Sequence, residues 1–395
     1  MKTKVAVLFG GKSVEHEVSI ISGLQAWRAL DREKYEPLAV YISKDNGWYV
    51  GEGVDRIESY NDMKALLSSA TRVIPTAVPE GVALLRYPAK RFGNNTAATF
   101  EVALPVVHGT NVEDGTLMGM LEMLGVPYTG CDVTSSALGM DKYAMKAVLK
   151  QAGLPVLDAA LYRGRRYAKE SDAVIREIGE RFGYPVIVKP VNLGSSVGIS
   201  VAHDAASLQA AMDEACTFAD RVLVERAVQH LREINCAVLG DGDEAVPSVC
   251  ERPVNSDEIL SYKDKYLAGD KAGSKSGGMS GLKRICPADI PDEMAERIKG
   301  LAVKTFQALG CGGVARIDFL NDTATGEVWV NEINTIPGSL AFYLWEAAGV
   351  KFPDLLDRMI GLAFKRQRDR EALSFSFETN ILEGFSGAKG AKGKA

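Results

Sequence analysis

Apolar positions in this chain fall into short unbroken runs, alternating runs and stripes of helical period, and their order predicts the elements. Residues 4–9 (KVAVLF) form a continuous apolar run suited to a buried parallel strand. Gly10-Gly11-Lys12-Ser13 follows, and Val18, Ile21, Ala26 and Leu30 then predict one face of an amphipathic helix. Strands are predicted over 36–42 and 100–107, the second followed by a polar loop and a helix to Leu124. A change of domain is expected near Met140-Asp141-Lys142, where a helix to Gly153 begins. Strand 156–162, helix 170–181, strand 185–189, strand 197–202, helix 205–218 with Asp204 as N-cap, and strand 221–225 then alternate as a small α+β unit. Strands 231–239 and 245–252 lead into an aperiodic stretch, 256–284. Next comes a helix over 292–309, with Pro291 at its start and Gly310 at its end. Strands 313–320 and 327–333, joined by a turn, and an amphipathic helix over 352–364 complete the pattern.

Candidate chemistry gathers at the strand ends. Side chains two apart on a strand point the same way, so Arg316 and Asp318 share one face and Glu332 and Asn334 another. Asp, Glu and Asn oxygens grouped this way suit Mg²⁺, which takes a few protein oxygens and leaves positions for water and phosphate. A solvated hairpin with surface carboxylates is the plain alternative. The loop Lys189-Pro190-Val191-Asn192-Leu193-Gly194-Ser195-Ser196-Val197-Gly198 offers glycine-freed backbone amides, two hydroxyls and a lysine at the end of an apolar strand. That is the chemistry of a phosphate clamp, although a hairpin turn would use similar residues. His108 and Glu113 follow a predicted strand end, where open α/β sheets bind ligands. Glu15-His16-Glu17 opens the first helix, a place that the helix dipole alone would favour for carboxylates.

A chain of 395 residues exceeds one compact core, and at roughly 100–200 residues per domain it implies two to four domains. The net charge of -5 argues against nucleic acid or an anionic membrane as the main partner. No run approaches the roughly 20 apolar residues that span a bilayer, and the first residues lack an export signal. Six cysteines without CxxC spacing fit reduced thiols in a cytoplasmic protein. The 271–281 segment, KAGSKSGGMSG, reads as a lid or a structureless insert, and GAKGAKGKA as a mobile end.

Five separated stretches in this order resemble the ATP-grasp ligases, and among them the D-alanine:D-alanine ligases of peptidoglycan synthesis. They are GGKSVEHEVSIIS (10–22), HGTNVEDGTLMGMLE (108–122), PYTGCDVTSSALGMDK (127–142), KPVNLGSSVGIS (189–200) and the pair ARIDFL and NEINTIPG. The resemblance implies a three-domain ATP-grasp fold of α/β and α+β type. A Rossmann-like parallel sheet would occupy 1–130, a central subdomain 131–227, a C-terminal subdomain 228–375 and a flexible tail 376–395. It further implies ATP as co-substrate, two Mg²⁺ ions with Mn²⁺ as an alternative, D-alanine as substrate, and a homodimer.

By the same resemblance, Lys142 and Lys189 hold the ATP phosphates beneath a lid containing Ser195, Ser196 and Val197. Glu225, Arg226 and Val228 bracket adenine, and Glu233 holds the ribose. Asp318, Glu332 and Asn334 take the metal. Glu15 pairs with the first substrate's ammonium beside His108, while Arg316 and the Gly338 N–H polarise its carboxylate. Tyr266, with Glu15 and Ser195, closes the site, and Lys265, Ser339 and Leu340 meet the second carboxylate. The glycine-serine insert and the sequence after Pro337 depart from the family pattern, which leaves D-Ala-D-Ser and D-Ala-D-lactate as alternative products and a non-catalytic binding protein as a rival class.

Overall fold

A computed structural model describes residues 2–194, 197–254 and 284–374. The expected roles of Ser195, Ser196, Lys265, Tyr266, the 271–281 segment and the tail lie outside the described residues.

Three sheets carry the described residues. The first is built from β1 (Thr3–Gly10), β2 (Tyr35–Ile42), β3 (Trp48–Val50), β4 (Thr71–Val78), β5 (Gly81–Arg86), β6 (Thr96–Phe100) and β7 (Val102–Pro105), in the order β6-β5-β4-β3-β2-β1-β7. Helices α1 (His16–Ala29), α2 (Met63–Ser69) and α3 (Thr116–Met123) accompany it. Only the β1–β2 and β1–β7 pairs are parallel, whereas β2 through β6 pair antiparallel. The expected Rossmann-like parallel sheet is present at β2-β1-β7 and is extended by antiparallel strands. β1 carries the unbroken apolar run of a strand covered on both faces, while β4 leaves alternate residues exposed and so gives a weaker signal. The run predicted as one strand over 100–107 divides at Glu101, which turns outward and accepts a hydrogen bond from the Lys4 N–H.

The central sheet follows α4 (Val133–Met140) and α5 (Lys142–Gln151). It consists of β8 (Ala159–Arg163), β9 (Val186–Pro190), β10 (Ser200–Ala202) and β11 (Arg221–Arg226) in the order β10-β9-β11-β8. α6 (Gly164–Tyr167), α7 (Ser171–Phe182) and α8 (Ala205–Phe218) pack with it. Asp204 caps α8 as expected, accepting from the Ser207 N–H at 2.8 Å in a reciprocal capping box. The third sheet has the order β14-β13-β12-β15-β16, from β12 (Leu231–Gly240), β13 (Ala245–Pro253), β14 (Arg284–Ile285), β15 (Gly313–Asp322) and β16 (Val328–Asn334). α9 (Asp292–Ala308) lies against it, with α10 (Phe342–Ala347) and α11 (Phe352–Glu371) ending the described chain.

Two differences from the predicted pattern have physical causes. α1 buries Ile20, Leu24, Ala26 and Leu30, whereas Val18 and Ile21 remain half-exposed. The helix turns its small and polar residues inward: Gly23 lies where a Cβ would approach the Phe9 ring to 2.6 Å, and Ser19 donates to the Val106 carbonyl at 2.7 Å. A rule that counts only large apolar residues misses such a face. α11 buries Leu355, Leu356, Met359, Ile360 and Ala363 in the core of the first sheet and continues past the predicted end to Glu371, where Arg370 pairs with Glu122 at 2.7 Å. Tyr35 and Lys34 both donate to Asp357, at 2.6 and 3.0 Å, and Arg366 donates to the Gly130 carbonyl at 2.7 Å. The last helix thus packs against both the first sheet and the third.

Candidate active site

A cleft of about 1350 Å³ opens where the three sheets meet. The first sheet contributes Glu15, His108 and Glu113, the second Lys189 and Glu225, and the third Arg316, Asp318, Glu332 and Asn334. Arg226, Val228, Glu233 and Gly338 also line it. Lys142 approaches from α5, and Val197 lies at the end of the loop after β9.

Cross-strand register builds the acidic centre. Asp318 on β15 stands opposite Glu332 on β16, and Arg316 opposite Asn334. Arg316 forks onto Asp318, Nε to Oδ1 at 2.7 Å and Nη2 to Oδ2 at 2.8 Å, and the Asn334 amide donates to Oδ2 at 3.0 Å. Burial pushes the Asp318 carboxyl up, with Glu332 and Glu251 acting in the same direction, while the Arg316 guanidinium opposes them. Among the described residues no three His, Cys, Asp or Glu side chains converge. The set is instead two carboxylates and an amide, hard oxygen donors that fit a magnesium-type ion sharing its remaining positions with phosphate and water.

A basic pole faces this centre. Lys189 is 4% exposed and donates to Glu225 Oε1 at 2.5 Å and to Asn331 Oδ1 at 3.0 Å. Lys146 lies 2.9 Å from Glu225 Oε2, an ionic contact outside hydrogen-bond geometry. Burial opposes ionisation of Glu225, yet the two ammoniums outweigh it and hold this carboxyl at about 2. Lys142 donates to the Leu193 carbonyl at 2.7 Å and stands 3.4 Å from Glu332. The sequence reading did not single out Lys146. Its signal was present, since Lys142 and Lys146 are spaced i, i+4 and share the face of α5 that buries Met145 and Leu149.

At the first sheet, Glu15 is the N-cap residue of α1. Its carboxylate lies 3.4 Å from where a Cβ on Gly194 would stand, an ordinary van der Waals distance, so the loop after β9 passes directly beside it. His108 is buried and has both nitrogens engaged: Nδ1 donates to the Ile336 carbonyl at 2.9 Å, and Nε2 pairs with Ser22 Oγ at 3.1 Å. Burial lowers its pKa, which fits a neutral ring tying the 336–339 segment to α1. That segment ends in a strained turn, with Ser339, Leu340 and Ala341 at φ of 50°, 55° and 50°. Ser339 donates through its N–H to Ser22 at 3.1 Å and through its hydroxyl to Gln25 at 2.7 Å, and Leu340 is buried. Gly338 meets the cleft, whereas Ser339 and Leu340 turn toward α1.

Two family descriptions match the chain: "D-ala D-ala ligase N-terminus" over residues 4–131 and "D-ala D-ala ligase C-terminus" over 148–361. The chain belongs to the D-Ala–D-Ala ligase family. The D-alanine--D-alanine ligase of Acetivibrio thermocellus is 38% identical over 379 residues, covering 93% of this chain and 97% of its own. Among solved structures, the D-alanine-D-alanine ligase of Coxiella burnetii matches with a TM-score of 0.75 at 30% identity, over 94% of this chain and 97% of its own. The VanG D-Ala:D-Ser ligase of Enterococcus faecalis matches with a TM-score of 0.76, also at 30% identity, over 92% of this chain and 100% of its own. As a member of this ligase family the chain has the ATP-grasp fold. No helix among the described residues is long and apolar enough to cross a membrane.

Glu113 adds a pH-dependent element to the ligase cleft. Its carboxylate accepts from the Gly109 N–H at 2.7 Å and the Ile336 N–H at 3.2 Å, bridging the first sheet to the end of β16. Burial, reinforced by the nearby Glu15 charge, pushes it up to about 8 against those two donors. A carboxyl raised in the folded state holds a proton that the unfolded chain has released. Its contribution to stability therefore falls as pH rises from the ordinary carboxylate range to about 8. Thermal melts of wild type and Glu113→Gln between pH 5 and 9 check this: the wild-type Tm should decline more steeply, and parallel curves would count against a raised Glu113.

Proposed function

We propose that this chain joins two D-alanines into D-alanyl-D-alanine at the expense of ATP, through a D-alanyl phosphate, to supply peptidoglycan precursors. One observation carries the reading: the Arg316–Asp318–Glu332–Asn334 centre and the Lys142–Lys189 pole face one cleft, with Glu15 at its opposite lip.

Carboxylate and amine do not condense unaided in water, because carboxylate oxygen is a poor leaving group. ATP supplies the activation: a carboxylate oxygen of the first D-alanine attacks the γ-phosphorus and ADP leaves. The neutral amine of the second D-alanine then attacks the acyl carbon and phosphate departs, the amine proton being lost to solvent or phosphate. Glu15 attracts the first ammonium, and Lys142 and Lys189 exchange their present carbonyl and carboxylate partners for phosphate oxygens. Arg316 and the Gly338 N–H stabilise negative charge on the reacting carboxyl. Asp318, Glu332 and Asn334 would hold two Mg²⁺ ions, whose chemistry is to neutralise the transferring phosphate. Glu225, Arg226 and Val228 bound the adenine region and Glu233 the ribose. Enclosure matters because water would otherwise hydrolyse the acyl phosphate.

The same reading places the protein in the cytoplasm as a homodimer, with the division 1–130, 131–227 and 228–375. The D-Ser-accepting relative makes D-serine the competing acceptor. Phosphate release from ATP with a panel of D- and L-amino and hydroxy acids, with product mass measured, tests the proposal. D-alanyl-D-alanine should dominate. A dominant D-Ala-D-Ser or depsipeptide product would change the acceptor, and an absence of D-alanine-dependent phosphate release would overturn the reading.

A further inference from the structure

Where β9, β11 and α5 meet, two buried ammoniums flank one buried carboxylate, and only one of the two reaches the cleft. Register places the first pair: Leu223 on β11 stands opposite Lys189 on β9, so Glu225, two residues on, shares the face of Lys189. Lys146 arrives from the buried face of α5. Lys146, Lys189 and Glu225 are 5%, 4% and 0% exposed. Lys189 Nζ donates to Glu225 Oε1 at 2.5 Å and Lys146 Nζ stands 2.9 Å from Oε2, one ammonium to each oxygen. Lys189 and Glu225 line the cleft, whereas Lys146 stands behind its wall.

Charge shows what the arrangement can do. Two ammoniums against one carboxylate leave a positive excess, and the neighbouring Lys142 and Glu332 do not cancel it, because they face each other at 3.4 Å. A buried excess is costly unless an anion meets it. A lone lysine beside Glu225 would form a closed neutral pair with little attraction for phosphate. With Lys146 present the carboxylate is shared, and Lys189 keeps a net pull on anions in the cleft. Lys146 Nζ and Glu225 Oε2 also lie close but outside hydrogen-bond geometry, and neither has a hydrogen-bond partner among the described residues. A small side-chain rotation would close that bond as Lys189 moves off.

We propose that Lys146 is a positioning residue for nucleotide binding, which holds the charge of Glu225 and so releases Lys189 to the phosphates. The inference rests on the ligase reading above, in which Lys189 gives up its carboxylate partner for a phosphate oxygen. Without Lys146 that exchange would strand Glu225 as a buried, uncompensated carboxylate, and Lys189 would stay where it is. With Lys146 in place Glu225 keeps one cation throughout and remains fixed beside the adenine region. Lys146 therefore acts through its two neighbours and touches no substrate.

Isothermal titration of the full chain at fixed Mg²⁺ compares ADP, which carries phosphates and is not turned over, with adenosine, which lacks them. The ratio of the two affinities separates the phosphate contribution from the contacts to adenine and ribose. In Lys146→Met that ratio should fall about tenfold or more, the scale of a hydrogen bond to a charged group, while adenosine binding changes far less. Adding Glu225→Gln removes the carboxylate that retains Lys189, so the double variant should regain most of the ratio. A purely structural counter-ion would lower the Tm of Lys146→Met and leave the ratio unmoved. That result, or a double variant with no recovery, would overturn the proposal. If Lys146→Met does not fold, Glu225→Gln alone carries the test: its ratio should equal or exceed that of wild type, and a fall would overturn the assignment. A wild-type protein that binds ADP no more tightly than adenosine would instead overturn the ligase reading on which it rests.

Discussion

Glu332→Gln is expected to lower turnover by about 10³-fold, equivalent to about 4 kcal/mol of lost charge stabilisation. The substitution keeps the size of the side chain and removes its charge. Glu332 is one of two carboxylates facing each other across β15 and β16, and Lys142 stands 3.4 Å from it. The fold should tolerate the change, because the Glu332 side chain is 30% exposed and its ion pair is partly screened by solvent. Isothermal titration of Mg²⁺ in the presence of ADP should show weakened binding alongside the lost activity. Near-normal turnover at modest Mg²⁺ would remove Glu332 from the metal set.

Sequence pattern reached the acidic centre because strand geometry is rigid. A period of two places Arg316 with Asp318 and Glu332 with Asn334, and a short turn brings the two strands into register. It could not reach the surroundings of Glu251, another carboxylate of the cleft wall, in the same way. Glu251 and Arg284 come together only after the chain has left β13 and returned as β14, and Tyr343 arrives from α10. No local spacing encodes a contact across so long a connection. The antiparallel strands β3 to β6 escaped for another reason: several are short or half-exposed, so their apolar runs fall below those of covered strands. Lys146 was hidden by its type, since a lysine on an amphipathic helix is ordinarily solvated and only its opposition to Glu225 explains its burial. The turn at 338–341 was hidden because Ser339, Leu340 and Ala341 are not residues that announce a positive φ.

Arg316→Gln should separate charge balance from metal binding, with kcat falling about 10²- to 10³-fold, the scale of one lost oxyanion donor. Arg316 contributes both donors of the fork on Asp318. Burial raises the Asp318 carboxyl and the charges of Glu332 and Glu251 push the same way, so losing the guanidinium raises it further. Removing one partner of a buried pair costs about 3–5 kcal/mol when the remaining charge is uncompensated, and proton uptake by Asp318 recovers part of that loss. The sign follows from linkage: the variant's folded state holds a proton that its unfolded chain releases above the ordinary carboxylate range. The Tm deficit relative to wild type should therefore be small near pH 4.5 and grow toward pH 8.5. Added Mg²⁺ should narrow it at the higher pH, because a second cation then faces the ionised Asp318. Arg316→Lys should sit between the two proteins, since an ammonium restores the charge without the planar fork. Melts across that pH range, with and without Mg²⁺, decide the matter: a deficit independent of pH and metal would mean that Arg316 acts by packing alone.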